Sequence, residues 1–473
     1  MLALYVALVG AMLGWHEPWF DEAHAWLLAR DAGIWQLFAH ELRYEGAPGL
    51  WHAILLIPAK TGLPYLTLNV ISALLGAVAT YLLLRHSPFP PLLKALLPFT
   101  YFLLYQYAVV SRSYALLAPI LFLLAIVWPR RREKLLAYTL LLVLLANVSA
   151  HGILIAGSLM GIELVDVLRH RRELGRRAVK RQLAAAGVFA VVSALLVVQL
   201  RPPSDLSNDI APDLSAGVIA TIGRIINQST TGVEPLSLLV LGPIVLWFWR
   251  VRYLTLFLVP TAIVVVFLAV VYHLPWHDGV LFIFFLFALW VSLADPVARA
   301  RAGWGVRKAM LAAVLIVTGF QVVWSFESYR YDLMEAYSGT EALAAHIQEH
   351  GDGKTIFTTS YVPDYITDVA PNWGAFPSFA VQPYFDRNVF ANYHEGRKPS
   401  FWRWSSPNGL VFEPRRIRAA RPDWIILNIK FDGARSQLRR YPGYRVRARF
   451  PGALALKTGT FERDGYILLE RSS

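Results

Sequence analysis

The sequence contains no cysteine. Disulfide bonds, thiolate zinc sites and cysteine nucleophiles are therefore excluded, while the redox compartment stays undetermined. Charge is also scarce, because only 16% of the 473 residues are Asp, Glu, Lys or Arg. Hydrophobic residues make up 56% of the chain and the mean hydropathy is +0.45. This composition indicates a membrane protein rather than a series of soluble domains.

Acidic residues are fewer than basic ones, 32 against 45, which gives a formal net charge of +13. In a soluble protein this excess would suggest a nucleic-acid partner. In a membrane protein, however, extra Lys and Arg are typical of cytoplasmic loops. We therefore expect membrane lipid as a partner and no nucleic acid.

Long apolar segments are concentrated before residue 326, and about 20 apolar residues are needed to cross a bilayer. The first segment lacks a basic n-region and a cleavage site, so it is predicted to be a retained helix. Eleven crossings are predicted, at 1–15, 65–84, 95–110, 113–129, 135–150, 152–168, 182–200, 236–249, 253–272, 279–294 and 309–325. The predicted fold class is a polytopic α-helical membrane protein with a C-terminal soluble α/β domain.

The links between these segments are either basic or poor in Lys and Arg. The basic links are 130–134, 169–181, 250–252 and 299–308. The positive-inside rule places them in the cytoplasm, so the N-terminus is predicted to be cytoplasmic and the first loop, 15–64, outside. The apolar run 49–59 is predicted to lie along the outer membrane face, since a further crossing would invert every later basic loop.

Residues 326–473 have the composition of a water-soluble domain, which this topology places outside the plasma (inner) membrane. A helical pattern at 335–349 and strand patterns at 354–359 and 423–428, with a β-rich tail, predict a small α/β domain. The aromatic-rich stretch 361–404 is predicted to form long loops on the membrane-facing side. Residues 1–325 would then form the transmembrane catalytic domain.

The first outer loop begins with two adjacent acids, Asp21 and Glu22, after Pro18. One interpretation is structural, with the acids in the first turn of a helix and neighbouring tryptophans at the membrane interface. The other is an active site, because further ionisable residues follow in the same loop beside the membrane. These residues are Arg43, Glu45, His52 and Lys60.

The acidic pair, the Gly46-Ala-Pro48 stretch before an interfacial helix, and Ser111-Arg-Ser-Tyr-Ala-Leu116 at a later helix mouth carry a family resemblance. The chain resembles the integral-membrane C-type glycosyltransferases that use polyprenyl-phosphate sugars, among them protein mannosyltransferases and lipid A aminoarabinose transferases. The resemblance implies that Asp21 is the catalytic base or orients the acceptor, and that Glu22 supports it or helps hold a divalent metal ion. It also implies a glycan, lipid or protein acceptor and inversion at the anomeric carbon.

Arg112 is the strongest candidate for binding the donor phosphate, since an unpaired guanidinium between two uncharged helices would be costly. The alternative is that its side chain extends to the lipid headgroups. Tyr114, Lys60 and Arg43 are weaker phosphate-binding candidates. Glu45, His52, His151, His273 and His277 are candidates for lining the site, although each histidine also suits a structural hydrogen bond.

The loop 202–235 is either a flap over this site or a solvated connector. Two other functions remain open. A transporter or flippase for the same lipid-linked sugar would usually have broken helices and paired repeats, and the sequence indicates neither. A membrane-anchored binding or assembly protein would depend on residues 326–473 alone, for which eleven helices are an excessive anchor.

Overall fold

A computed structural model describes residues 1–207, 217–359, 376–405, 410–430, 438–457 and 461–472. Helices dominate the chain up to residue 334, as the apolar composition predicts. The α-helices of seven or more residues in these described ranges are α1 (Leu2–Met12), α2 (Phe20–Asp31), α3 (Leu50–Lys60), α4 (Thr67–His86), α5 (Leu117–Val127), α6 (Leu135–Ala146), α7 (Ala150–Arg169), α8 (Arg171–Gln199), α9 (Gly217–Ser229), α10 (Glu234–Arg250), α11 (Leu254–Val270), α12 (Asp278–Ala294), α13 (Pro296–Met334), α14 (Thr340–His350) and α15 (Pro414–Ala420).

Six helical segments in the described chain are long and apolar enough to cross a membrane. They are Thr67–His86, Ser113–Arg130, Ala150–Arg169, Arg171–Gln199, Pro275–Ala294 and Pro296–Met334. A seventh results if α9 and α10, which meet at an angle of 76°, count as one span. The sequence had indicated no broken helix, so this bend corrects that expectation. The chain is thus a helical protein compatible with insertion in a membrane.

The segment predicted to cross at 95–110 is not one regular α-helix, and its crossing stays a prediction. An α-helical turn, Pro91–Leu96, leads into a 3-10 turn, Leu97–Phe99, and then into a π-helical stretch, Tyr101–Gln106. Pro98 interrupts the helical hydrogen bonding because it has no backbone N–H. Every residue from 101 to 111 is buried. This segment is therefore apolar because it fills the interior of the helical bundle. Its composition alone does not distinguish it from a helix that faces lipid.

Three other predicted crossings form helices that are short for a bilayer. The helices α1, α6 and α11 contain 11, 12 and 17 residues. The described helices thus support six or seven crossings by length and composition, and the count of eleven stays a prediction. The segment predicted to lie along the membrane face forms a short helix, α3, with 11 residues, and its position at the membrane stays a prediction.

The long helices α8 and α13 are each divided at a glycine. Gly175 has φ 75° and Gly303 has φ 71°, values that residues with a Cβ rarely adopt. Both glycines lie within the basic stretches that were predicted to be cytoplasmic. The helix α13 also continues to Met334, beyond the domain boundary predicted after residue 325.

The C-terminal region contains the predicted α/β elements. Its strands are β1 (Ile356–Thr358), β2 (Trp424–Asn428), β3 (Tyr444–Phe450), β4 (Ala453–Ala455), β5 (Phe461–Arg463) and β6 (Tyr466–Arg471). Four of them form a sheet in the order β1-β2-β6-β3, in which only β1 and β2 are parallel. The strands β4 and β5 pair separately. One sheet face, with Ile425 and Ile467, packs on Ile417 of α15, while Ile426 and Leu468 join the main core.

The stretch 376–405 lies against the first outer loop. Phe376 opens a 3-10 helix, Phe376–Tyr384, and its ring is 4.6 Å from that of Phe20. Arg403 forms an ion pair with Glu41 of the loop. The predicted loops at 361–404 are thus partly replaced by a 3-10 helix, and the part of that prediction between 360 and 375 lies outside the described residues.

The proposed flap at 202–235 is only partly covered, because residues 208–216 lie outside the described ranges. Its first residues form hydrogen bonds with the first outer loop and with the stretch 376–405. The Tyr44 hydroxyl donates to Asp205 at 2.8 Å, and the Ser207 amide donates to the Trp404 carbonyl at 3.0 Å. Most of its second half forms α9.

Candidate active site

The acidic pair is placed by the start of α2. Trp19 is the N-cap residue, and Asp21 and Glu22 occupy the first turn, as the sequence predicts. The Glu22 carboxylate accepts a hydrogen bond from the Trp19 amide at 3.2 Å, which satisfies one of the free N–H groups at this helix end. Because successive residues on a helix point about 100° apart, the two acids face different surroundings.

Glu22 faces the interior and is fully buried. Its carboxylate accepts a hydrogen bond from the Ser111 amide at 2.6 Å and contacts His16 Nε2 at 3.2 Å. His16 contacts Asp332 of α13 through Nδ1 at 2.6 Å. Burial disfavours the imidazolium, but the carboxylates of Asp332 and Glu22 raise the pKa of His16 to about 10. Glu22 therefore holds together the loop, the mouth of the 113–130 segment and α13.

Asp21 faces a partly open site and forms an ion pair with Arg112, at 2.8 Å between Oδ2 and a guanidinium nitrogen. The two side chains keep 26% and 18% of their surface exposed, enough for a ligand to reach them. Burial raises the pKa of the Asp21 carboxyl, although Arg112 and then Lys430 oppose the shift. Asp21 and Arg112, the residue predicted to bind the donor phosphate, are thus in direct contact.

Aromatic rings surround the Arg112 guanidinium. Its central carbon is 4.6 Å from the Trp276 ring, 5.5 Å from Tyr114 and 5.8 Å from Trp19. Nη1 of Arg112 and the indole N–H groups of Trp19 and Trp276 are buried without a hydrogen-bond partner among the described residues. Unpaired buried donors are costly, so this cluster is suited to an anionic ligand that accepts several hydrogen bonds.

The histidines predicted from the later outer loops reach the same region through Tyr114. The rings of His151 and His277 are 4.8 Å apart, and that of His277 is 5.9 Å from Tyr114. His277 Nδ1 accepts a hydrogen bond from the Leu274 amide at 3.1 Å. His273 instead contacts Asp278 at 2.8 Å, so the two histidines of the His273–His277 pair have different partners.

Glu45 and His52 lie beside α2 rather than next to Arg112. Glu45 contacts His24 Nε2 at 2.7 Å, and His24 is three residues after Asp21 on the same helix. Glu45 raises and His24 lowers the pKa of Asp21, which places both near that carboxyl. Burial, followed by the charge of His24, lowers the pKa of His52 to about 3, so His52 is neutral. These residues form a second polar layer behind Asp21.

Two of the weaker phosphate candidates are engaged elsewhere. Lys60 Nζ donates to the carbonyls of Arg30 and Ala32 at the end of α2. Arg43 Nε donates to the Arg201 carbonyl at 3.0 Å. The Lys60 contact lies within the first loop, and the Arg43 contact joins that loop to the residue before the 202–235 loop, so the structure does not bring these two cations to Arg112.

A joint metal site of Asp21 and Glu22 is not formed in this arrangement. Glu22 is occupied by His16, Trp19 and Ser111, whereas Asp21 faces Arg112. Within the ranges that the structure describes, no group of three or more His, Asp or Glu residues is placed to hold a metal ion.

Several neighbours of the site were missed from the sequence. His24 could have been found from its i, i+3 spacing to Asp21 on a predicted helix. Trp276 and Lys430 had no such signal, because they come from distant parts of the chain. Lys430, two residues after β2, lies with Nζ 4.9 Å from the centre of the Trp19 ring.

Comparison with known proteins adds no family to this geometry: no family model matches the chain, and the search of curated proteins gives no match.

Proposed function

We propose that the chain is a glycosyltransferase that moves a sugar from a polyprenyl-phosphate-linked donor to a glycan, lipid or protein acceptor on the outer face of the plasma membrane. The observation that supports this proposal is the Asp21–Arg112 ion pair in a partly exposed, aromatic-lined site. A carboxylate and a phosphate-binding cation in contact are the two groups that such a transfer needs. The topology and the C-type resemblance of the sequence agree with it.

The acceptor oxygen forms a bond with the anomeric carbon as the bond from that carbon to the phosphate oxygen breaks. The bonding electrons leave with the phosphate, so that a phosphodiester becomes a phosphomonoester with one more negative charge. Asp21 accepts the proton of the acceptor hydroxyl. A raised pKa makes Asp21 a stronger base for this step, provided that the pH lies above that pKa. A single displacement of this kind inverts the configuration at carbon.

Arg112 binds the donor phosphate in this proposal. Its free Nη1 and the two indole N–H groups are donors that a phosphate oxygen accepts. When the donor phosphate forms an ion pair with the Arg112 guanidinium, the Asp21 carboxylate loses this partner and can accept a hydrogen bond from the acceptor hydroxyl. Binding of the donor thereby prepares the base.

The decisive experiment compares purified wild type with Asp21→Asn, using a panel of synthetic polyprenyl-phosphate sugars in detergent, with and without divalent metal. We expect sugar transfer or donor hydrolysis by wild type and a loss of at least about a hundredfold in Asp21→Asn, the scale of a lost general base. Glu413→Gln, an exposed acid of the C-terminal region, serves as the control. An active Asp21→Asn enzyme would remove the catalytic assignment.

A flippase for the same lipid is the second candidate, because one observation favours it. The 76° bend between α9 and α10 resembles the discontinuous helices of transporters. Ser229 and Thr230 at this bend line an apolar cavity of about 80 Å³ together with residues of α10 to α13. Movement of a fluorescent polyprenyl-phosphate sugar across proteoliposome membranes, without a new glycosidic bond, would favour the flippase over the transferase.

A further inference from the structure

We infer that Lys430 of the C-terminal domain is a second phosphate-binding cation of the site and binds the charge that develops on the leaving phosphate. The inference rests on the proposed function and adds a residue from the other end of the chain. It implies that the site is incomplete until the C-terminal domain is folded against the first outer loop.

Lys430 is held at the site by its backbone and its side chain. Its amide donates to Asn428 Oδ1 at 2.8 Å, and the preceding amide of Ile429 donates to the Gly465 carbonyl at 3.0 Å. The side chain is 12% exposed and forms an ion pair with Glu462 of β5 at 3.2 Å. The ammonium group is therefore positioned rather than freely solvated.

Lys430 and Arg112 share one aromatic neighbour. The Lys430 ammonium lies 4.9 Å from the Trp19 ring centre and the Arg112 guanidinium carbon 5.8 Å from the same centre. Lys430 also lowers the pKa of Asp21, second only to Arg112 among the cations. Trp19 immediately precedes α2, the helix that carries Asp21. Both cations therefore lie close to the start of that helix.

Contacts between the C-terminal domain and the helical region hold Lys430 near the site. Lys457, two residues after β4, is 3% exposed and bonds to Asp278 at the start of α12. It also donates to the Gln228 carbonyl of α9 at 2.8 Å. Because β4 pairs with β5, this anchor also fixes the strand that carries Glu462.

Charge balance explains why a second cation is useful. The donor phosphodiester has one negative charge, which Arg112 can match, and the departing phosphomonoester gains another. A cation that interacts more strongly with the product phosphate than with the donor stabilises the transition state and so raises kcat. Lys430, beside the Trp19 ring that Arg112 also contacts, is placed to act as this second cation.

The test measures binding of farnesyl phosphate, with farnesol as the uncharged control, by calorimetry on the full-length protein in detergent. We expect Lys430→Ala to weaken farnesyl phosphate binding by at least about tenfold, the equivalent of one charge-assisted hydrogen bond, and to leave farnesol binding unchanged. Lys430→Arg should restore most of the affinity. Lys354→Ala, at an exposed lysine of the same domain, should bind like wild type.

Glu462→Gln separates phosphate binding from a purely structural ion pair. This variant breaks the same pair but keeps the ammonium group, so it should bind farnesyl phosphate at least as tightly as wild type. If Glu462→Gln weakens binding as much as Lys430→Ala does, or if Lys430→Ala binds like Lys354→Ala, the inference is overturned. If wild type itself does not prefer farnesyl phosphate to farnesol, the proposed donor site fails as well, which distinguishes the two failures.

Discussion

Asp21 and Glu22 are adjacent in sequence and have different environments. Asp21 reaches the partly exposed site and Arg112, whereas Glu22 is buried and bonded to His16, Trp19 and Ser111. We therefore expect a change at Asp21 to act mainly on the proposed sugar transfer, and a change at Glu22 to act on the position of Arg112 and on stability.

We predict that Glu22→Gln lowers the free energy of unfolding by about 2–4 kcal/mol, because it removes a buried charge that three groups share. Asp21→Asn should cost at most about 1 kcal/mol, since the ion pair that it breaks is partly exposed. Thermal unfolding of both variants in one detergent measures the contrast. Equal midpoints for the two variants would contradict the division of roles.

The sequence was sufficient to indicate which acids and which arginine to consider, because an acidic helix start and an unpaired arginine at a membrane interface are local features. It could not indicate their partners. The pairing of Asp21 with Arg112 and of Glu22 with Ser111 depends on how two distant segments pack. Lys430 carried no signal at all, since a lysine in a soluble domain is ordinary until its neighbours are known.

At the scale of helices, Glu17 of the first outer loop lies near Glu341, which is in the first turn of α14. Burial and then the charge of Glu341 raise the pKa of Glu17 to about 7. Its Oε2 has no hydrogen-bond partner within the described chain.

This raised pKa predicts a pH-dependent junction between the loop and α14. The folded state binds the Glu17 proton more tightly than the unfolded state, so the stability gained below the ordinary carboxyl pKa is lost as pH rises to about 7. Between pH 5 and pH 8, this titration should lower the free energy of unfolding of wild type by about 2 kcal/mol. Glu17→Gln should not show that decrease.

Thermal unfolding at the two pH values tests this prediction. Glu349→Gln is the matched control, because that side chain lies on the same helix and is 76% exposed. Parallel pH dependence of wild type and Glu17→Gln would show that Glu17 does not titrate between pH 5 and pH 8.

Helix length and periodicity predicted most elements of the fold, including α4, α7, α14 and β2. The irregular helix at 95–110 was not foreseen, because residues that fill a bundle interior and residues that face lipid are equally apolar. In the structure most of the segment is buried, and the Tyr5 hydroxyl donates to the Leu103 carbonyl inside it.

For the whole molecule, the absence of cysteine gives a direct test of topology. Single substitutions Lys354→Cys and Arg176→Cys introduce one thiol each, at exposed positions of the C-terminal domain and of a basic link. We predict that a membrane-impermeant maleimide labels Lys354→Cys on intact cells and labels Arg176→Cys only after permeabilisation. The reverse pattern would place the C-terminal domain in the cytoplasm and contradict the proposed outer site.

The sheet order β1-β2-β6-β3 also has a consequence for biosynthesis. Its interior strand β6, Tyr466–Arg471, leaves the ribosome after every other strand described, and β2 and β3 contact each other only through it. A nascent chain that already carries Asp21 and Arg112 in the membrane thus lacks the sheet that supports Lys430. In the proposed transferase, the second phosphate-binding cation would be in place only after this last strand is made, so we expect a chain stalled before it to be inactive.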